Sequence, residues 1–232
     1  MGEFGPFDLI IADPPYGDTS LKWDTRIEDW PHRTIEMLKP NGSMWVFGSM
    51  RYFLDQGLIF AAAGWKLAQD LVWEKHNGSA FHADRFKRVH ENIIQFYRSI
   101  DSWSSIYNEV QTTPDAVHRS VHRKKRRPAH LGQIQTAAYH SEDGGPRIMR
   151  SVIFMPSMHG HAIHPTEKPS DLIEILIRTS CPVGGLVGDP FAGSGAAGEA
   201  ALRAGREYLG CEIDPVMALK ANDRLRQLLP LN

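Results

Sequence analysis

Asp13-Pro14-Pro15-Tyr16 closes an apolar run, Phe7-Asp8-Leu9-Ile10-Ile11-Ala12, and its residues suit the holding of an aromatic amine, or by themselves a strand-ending turn with a surface tyrosine. Such an amine is a poor nucleophile because its lone pair is delocalised into the ring. Two acceptors set against its two N–H groups favour the pyramidal form and free that pair, and Asp13 offers a carboxylate while Pro14 offers a carbonyl. Proline fixes φ and carries no N–H that needs a partner. Tyr16 presents a ring on which a flat heterocycle can stack, a contact that contributes about 1–3 kcal/mol in binders of single strands.

A second chemical segment, Asp189-Pro190-Phe191-Ala192-Gly193-Ser194-Gly195, follows the apolar Gly185-Leu186-Val187-Gly188. Gly193 to Gly198 fits G-x-G-x-x-G, and Glu212 ends the next apolar stretch, where a carboxylate can accept both hydroxyl protons of a ribose. Alone, this pattern serves a dinucleotide, another nucleoside cofactor, or merely a tight turn. The Asp-Pro-Phe-Ala interposed before the glycines differs from the dinucleotide pattern, whose strand runs directly into the first glycine.

The elements that must position these loops alternate between strand and helix. Phe7–Ala12 reads as a doubly buried strand, 26–38 as a helix, 39–42 as a turn and 44–48 as a strand. A helix over 51–63 ends at Gly64, and strands over 67–73 and 92–97 flank a polar stretch, 74–91, that reads as a loop. From 99 to 150 the periodicity fades, as expected of a functional insertion. A short strand over 152–154 follows. Ser170 then reads as the N-cap of a helix burying Leu172, Ile173, Leu176 and Ile177. Strands over 185–188 and 208–212, a helix over 196–204 and a final helix from Pro215 to about 229 complete the pattern. Alternation of this kind predicts an α/β fold with a mostly parallel sheet and helices on both faces.

Composition narrows the classes. The 232 residues are 42% hydrophobic with a net charge of −1, so one sizeable domain, 1–232, is expected, and a wholly basic coat protein is excluded. Two cysteines, Cys181 and Cys211, are too few for a disulfide framework and suggest a reducing cytoplasm. No apolar run approaches the ~20 residues that span a bilayer. No thiol nucleophile lies in the Asp13 loop, since Cys181-Pro182 leads instead into a glycine turn.

Asp-Pro-Phe-Ala-Gly-Ser-Gly resembles the S-adenosylmethionine-binding motif of the amino-methylating DNA methyltransferases, and Asp13-Pro14-Pro15-Tyr16 resembles their catalytic loop. His164-Pro165-Thr166-Glu167-Lys168-Pro169 is similar to a third segment of that family. The catalytic loop precedes the cofactor loop, so the chain resembles the β group, a permuted form of a Rossmann-like fold. Leu38–Ser43, Trp73-Glu74-Lys75 and His90-Glu91-Asn92-Ile93 also match, whereas only six residues precede Phe7, where family members have a further segment. The resemblance implies cofactor contacts from Ala12, Asp13, His164, Pro165, Thr166, Lys168, Asp189, Phe191, Ala192, Gly193, Ser194, Gly195, Glu212 and Ile213. It implies methylation of adenine N6, because Asp rather than Ser opens the catalytic loop, with cytosine N4 as the alternative. A homodimer acting on double-stranded DNA is implied as well.

Within the insertion, His118 to His130 carries Arg119, Arg123, Lys124, Lys125, Arg126 and Arg127 and no acid, a density suited to replacing counterions on a phosphate backbone. The resemblance places target recognition in such segments, so the stretches 76–90 and 100–150 are expected to recognise the target. Histidines 118, 122, 130, 159, 161 and 164 suggest a zinc site only weakly, for no cysteine lies nearby, and no metal is expected. Two rival readings are a nicotinamide-dependent oxidoreductase built on Gly193–Gly198 with Glu212, and a catalytically silent nucleic-acid-binding module.

Overall fold

The computed structural model describes residues 5–79, 83–121, 139–158 and 166–228. The chain separates into two compact units, one comprising 1–109 with 151–232 and the other 110–150. The insertion thus begins later than its expected start at 100.

The larger unit is built on a seven-stranded sheet in the order β11-β10-β1-β2-β4-β3-β9. Its strands are β1 (Phe7–Ala12), β2 (Leu38–Gly48), β3 (Trp65–Ser79), β4 (Arg88–Arg98), β9 (Val152–Phe154), β10 (Leu186–Asp189) and β11 (Glu207–Gly210). β1 pairs in parallel with both β2 and β10, β10 with β11, and β3 with β9, while β4 alone runs against its two neighbours. All six residues of β1 are buried, as a central strand between two helical layers requires. The Asp8 carboxylate accepts from the Leu186 N–H and from Lys39, each at 2.8 Å, and so fastens β1 to its neighbours on both sides.

On one face lie α1 (Trp30–Ile35) and α2 (Met50–Ala62), over a core of Ile10, Trp30, Tyr52, Phe60 and Phe96 in which the Phe60 and Phe96 rings stack at 4.6 Å. α3 (Ser170–Ser180), α4 (Ala196–Arg203) and α5 (Pro215–Arg226) complete the helical complement, with α3 burying Leu172, Ile173, Leu176 and Ile177. Beneath α3 the polar groups of the sheet are paired. Trp45 Nε1 donates to Ser180 Oγ at 2.8 Å, and Gln95 Nε2 to Ser43 and Ser180 at 3.0 and 3.1 Å.

Three local expectations are corrected. The first helix covers 30–35 rather than 26–38, because the preceding chain folds around Asp24, whose carboxylate accepts from the Gly17 and Thr19 N–H groups at 2.8 and 2.7 Å. The polar stretch 74–91 is mostly strand, since β3 and β4 run on to Ser79 and from Arg88 with Lys75 paired to Glu91 across them. Pro169, not Ser170, occupies the N-cap of α3, and the Ser170 hydroxyl instead donates to Glu199 at 3.4 Å.

The smaller unit contains two antiparallel pairs, β5 (Thr112–Thr113) with β8 (Arg147–Ile148) and β6 (Arg119–Val121) with β7 (Tyr139–Ser141). Arg119 is exposed on β6. Arg123, Lys124, Lys125, Arg126 and Arg127 lie outside the described residues.

Candidate active site

Parallel pairing of β1 with β10 brings the Asp13 and Asp189 loops to the same end of adjacent strands. Asp13 leaves β1 with its carboxylate held twice: Oδ1 accepts from Tyr16 Oη at 2.6 Å and Oδ2 from Lys168 Nζ at 2.7 Å. A carboxylate has about four lone-pair sites, so both oxygens keep acceptor capacity. Arg26 Nε donates to the Tyr16 carbonyl at 2.7 Å and its guanidinium pairs with Asp55 of α2, which anchors the far end of the tetrapeptide. The Tyr16 ring, half-buried, tilts against Tyr52 at a centroid separation of 5.5 Å. Burial, followed by the negative charge of Asp13, drives the Tyr16 hydroxyl well above the ordinary tyrosine range, so it stays protonated and keeps donating.

Lys168 is the centre of the site's charge. Its side chain is 6% exposed and its Nζ lies 3.6 Å from Glu91 as well as 2.7 Å from Asp13. Glu91 also pairs with Lys75, and the Lys75 ammonium sits 4.4 Å above the Trp73 ring. Positive and negative groups therefore alternate from the β3–β4 hairpin into the Asp13 loop. Burial opposes charge on Lys168, yet Asp13 and Glu91 hold its pKa above the ordinary lysine value. Burial likewise opposes charge on Glu91, yet Lys168 and Lys75 bring it below the ordinary glutamate value. Both directions describe a charged pair. The Glu91 Oε2 atom, buried and without a hydrogen bond, faces Lys168 across that longer ionic contact.

The glycine turn is shaped by backbone conformation and by one acid. Gly193 and Gly195 adopt φ of +50° and +79°, the left-handed region that favours glycine. A Cβ on Gly193 would meet only the Phe191 carbonyl, at 3.9 Å, so it would project into an open cradle, whereas one on Gly195 would press on Ala221 at 3.1 Å. Glu212 Oε2 accepts from the Gly193 N–H at 2.7 Å and Oε1 from the Asp214 N–H at 2.9 Å. The next side chain, Ile213, is 99% exposed. Backbone bonds from Ala192 to Cys211 and from Cys211 to Asp189 tie the turn to the end of β11.

Asp189 is 6% exposed and accepts from the Phe191 N–H at 3.0 Å and from Tyr208 Oη at 3.2 Å. Burial pushes its pKa up to about 7, with Asp13 and Glu212 adding to the rise and the two hydrogen bonds opposing it. Beside it a solvent-open cleft is walled by Phe7, Ile10, Trp30, Met37, Pro190 and Leu209 and also reaches Arg33, Thr34 and Cys211. The walls are apolar, and Asp13 and Lys168 do not line it.

Glu167 and Lys168 join the two loops. While Lys168 grips Asp13, the neighbouring Glu167 accepts from Arg224 of α5 at 2.8 Å, and the same guanidinium lies 3.4 Å from the Ser194 carbonyl and hydroxyl. Sequence reading missed Arg224, Tyr208 and the role of Arg26, none of which carries a local motif. It noted the segments containing Lys75 and Glu91 without seeing that they meet Lys168. Ala12 is buried at the end of β1, Thr166 is half-buried, and His164 and Pro165 lie outside the described residues. Among the described residues no cluster of three or more His, Cys, Asp or Glu is placed to hold a metal ion, and no helix is long and apolar enough to cross a membrane.

Comparison with known proteins accords with this arrangement. The type II methyltransferase M1.MboII of Moraxella bovis is 26% identical over 245 residues, covering 95% of this chain and 89% of that protein. M2.DpnII of Streptococcus pneumoniae is 26% identical over 242 residues, covering 94% and 82%. In fold, the chain superposes on M1.HpyAVI in complex with S-adenosylmethionine with a TM-score of 0.63 at 21% identity, covering 97% and 91% of the two chains. The cytosine-N4-specific PvuII DNA methyltransferase gives 0.60 at 16% identity, covering 97% and 86%. These likenesses show a Rossmann-like methyltransferase fold. The profile of the N6/N4 methyltransferase family, described as DNA methylase, matches residues 7–223, and with the Asp13 and glycine loops following adjacent parallel strands the chain belongs to that DNA methylase family.

Proposed function

We propose that the protein transfers a methyl group from S-adenosylmethionine to the exocyclic N6 of adenine in duplex DNA, by direct attack and with the target base turned out of the stack. The observation that carries this reading is the junction of the Asp13 and Asp189 loops through Glu167 and Lys168. The cofactor fits the residues present: the cradle at Gly193 admits a ligand against backbone, Glu212 offers acceptors for ribose hydroxyls, and the exposed Ile213 offers an apolar face. When bound, S-adenosylmethionine supplies an electrophilic methyl on a sulfonium.

The chain's own residues do the rest. Asp13 and the Pro14 carbonyl accept the two N–H bonds of the amine and free its lone pair. Lys168 and Tyr16 hold the Asp13 carboxylate in one orientation, so no reorganisation is needed when the amine arrives. Tyr16 gives the turned-out base a face to stack on. Adenine is favoured over cytosine because Asp opens the loop, and the N4 alternative is kept alive by the fold shared with the PvuII enzyme.

Duplex DNA is met by the basic segment 119–127, of which Arg119 is the described member. Assembly as a homodimer belongs to the same reading and is checked by light scattering. The decisive assay is transfer of radiolabelled methyl to DNA. Asp13→Ala is expected to abolish transfer while cofactor still binds, and an active Asp13→Ala protein would overturn the mechanism. Sequencing of the methylated DNA separates N6 from N4, and binding of NAD in preference to S-adenosylhomocysteine would favour an oxidoreductase.

A further inference from the structure

At the free end of the β3–β4 hairpin, Asp84-Arg85-Phe86-Lys87-Arg88 places an aromatic ring fully in solvent, with Phe86 102% exposed between basic residues. Leu54 and Leu58, also exposed, project from helix α2, and Ile213 lies beside the glycine turn. Phe86 projects from a turn that is anchored to the catalytic loop. Arg88 Nη1 lies 3.6 Å from the Asp18 carboxylate, which is 7% exposed and is also approached at 3.7 Å by Arg51 of α2. Asp18 stands two residues after Tyr16. Further down the same hairpin, Lys75 and Glu91 lead to Lys168 and Asp13. The hairpin is thus fastened at its base to the groups that hold the amine, with a bare ring and Lys87 at its tip.

Resting on the reading above, we propose that Phe86 is a wedge that enters the DNA duplex at the target base pair, while Lys87 meets a flanking phosphate. Turning a base out of a duplex forfeits stacking and pairing and leaves a gap among the remaining bases. An apolar ring inserted there recovers part of that loss, and proteins that open or bend base steps do insert Phe, Leu or Ile in this way. Charge complementarity selects the partner. Arg85 is bound to Asp84 at 2.9 and 2.8 Å and Arg88 faces Asp18, so Lys87 gives the tip its positive character, which suits a polyanion better than an apolar protein groove.

The experiment follows location of the methylated site by sequencing of DNA exposed to the wild-type protein. Single-turnover methylation is then measured on a fully paired duplex containing that site, and on the same duplex with an abasic position opposite the target, where the base is already loosened. Phe86→Ala is expected to slow methylation of the paired duplex tenfold or more, and that of the abasic duplex less than threefold. Phe86→Leu, which keeps an apolar wedge, should stay within threefold of wild type on both. Lys87→Ala should lower the slope of log affinity against log salt by about one. An Ala variant that matches wild type on the paired duplex, or that slows equally on both, would overturn the wedge. Failure of the wild-type protein to methylate any DNA would instead overturn the functional reading on which the wedge rests.

Discussion

Replacing Asp189 with Asn tests whether the glycine loop is built around a carboxyl group that is neutral at low pH and strained when charged. The side chain is 6% exposed and its pKa is pushed up to about 7 by burial, reinforced by Asp13 and Glu212. A group whose folded pKa is raised contributes stability that is fully present below its unfolded value and lost as pH rises through the folded one. For Asp189 the window runs from the ordinary 3.8 to about 7. Each pKa unit corresponds to 1.36 kcal/mol, so the charged form carries a penalty of about 4 kcal/mol above that window, of which about 3 kcal/mol develops between pH 5 and pH 8. Asn reproduces the protonated form, since its carbonyl can accept from the Phe191 N–H and its NH₂ can donate to Tyr208 Oη. Urea unfolding of the ligand-free proteins at pH 5, 6, 7 and 8 reads the effect. The wild type should lose about 3 kcal/mol relative to Asp189→Asn across that range. Groups common to both proteins cancel in the difference. Parallel stability curves would refute the reasoning, for they would mean that Asp189 titrates alike in the folded and unfolded chains.

Lys168→Met should be the most disruptive change near Asp13. It leaves Asp13 and Glu91 without the ammonium that sits between them, at a cost of about 3–5 kcal/mol for a buried pair, and the 27% exposure of Asp13 places the result at the lower end. Thermal denaturation checks it, and a loss under 1 kcal/mol would contradict the burial argument. Glu212→Ala removes the acceptor of the Gly193 and Asp214 N–H groups, with an expected cost of about 1–2 kcal/mol in the ligand-free protein. Calorimetric titration with S-adenosylhomocysteine should show affinity at least tenfold weaker, and unchanged affinity would remove Glu212 from the cofactor site.

Much of this was legible in the sequence, because strand-ending motifs advertise themselves. Pro14 stops the run Phe7–Ala12 and Gly193 and Gly195 mark the left-handed turn, so both loops could be placed before any coordinate was known. Side-chain partnerships between distant segments could not. Nothing near Lys168 announces that it will be buried against Asp13, 155 residues earlier, and an exposed lysine on a polar turn fits the local sequence equally well. The helix expected over 26–38 failed for a related reason. Its first residues have helical pattern, but Arg26 is held by the Tyr16 carbonyl and Asp55, so tertiary bonds overrode local preference. The hairpin was underestimated because its polar residues read as loop, whereas Lys75 and Glu91 satisfy each other across the strands.

The order of motifs along the chain matters less to this site than the order of strands in the sheet. β1 and β10 are neighbours with parallel register, Leu9 opposite Val187 and Ile10 opposite Gly188, so their following loops emerge together wherever the chain is cut. Adjacent strands alone do not fix the separation of two loops, since each can swing on its own backbone. Two consecutive residues remove that freedom. Lys168 binds the loop that follows β1, and Glu167 binds Arg224, which reaches Ser194 in the loop that follows β10. The neighbouring side chains of Glu167 and Lys168 thus reach one loop each, so one short stretch serves both. The Asp13 loop and the glycine loop are thereby tied together by ion pairs whose inner partners are buried, with side-chain exposures of 6% for Lys168 and 1% for Glu167.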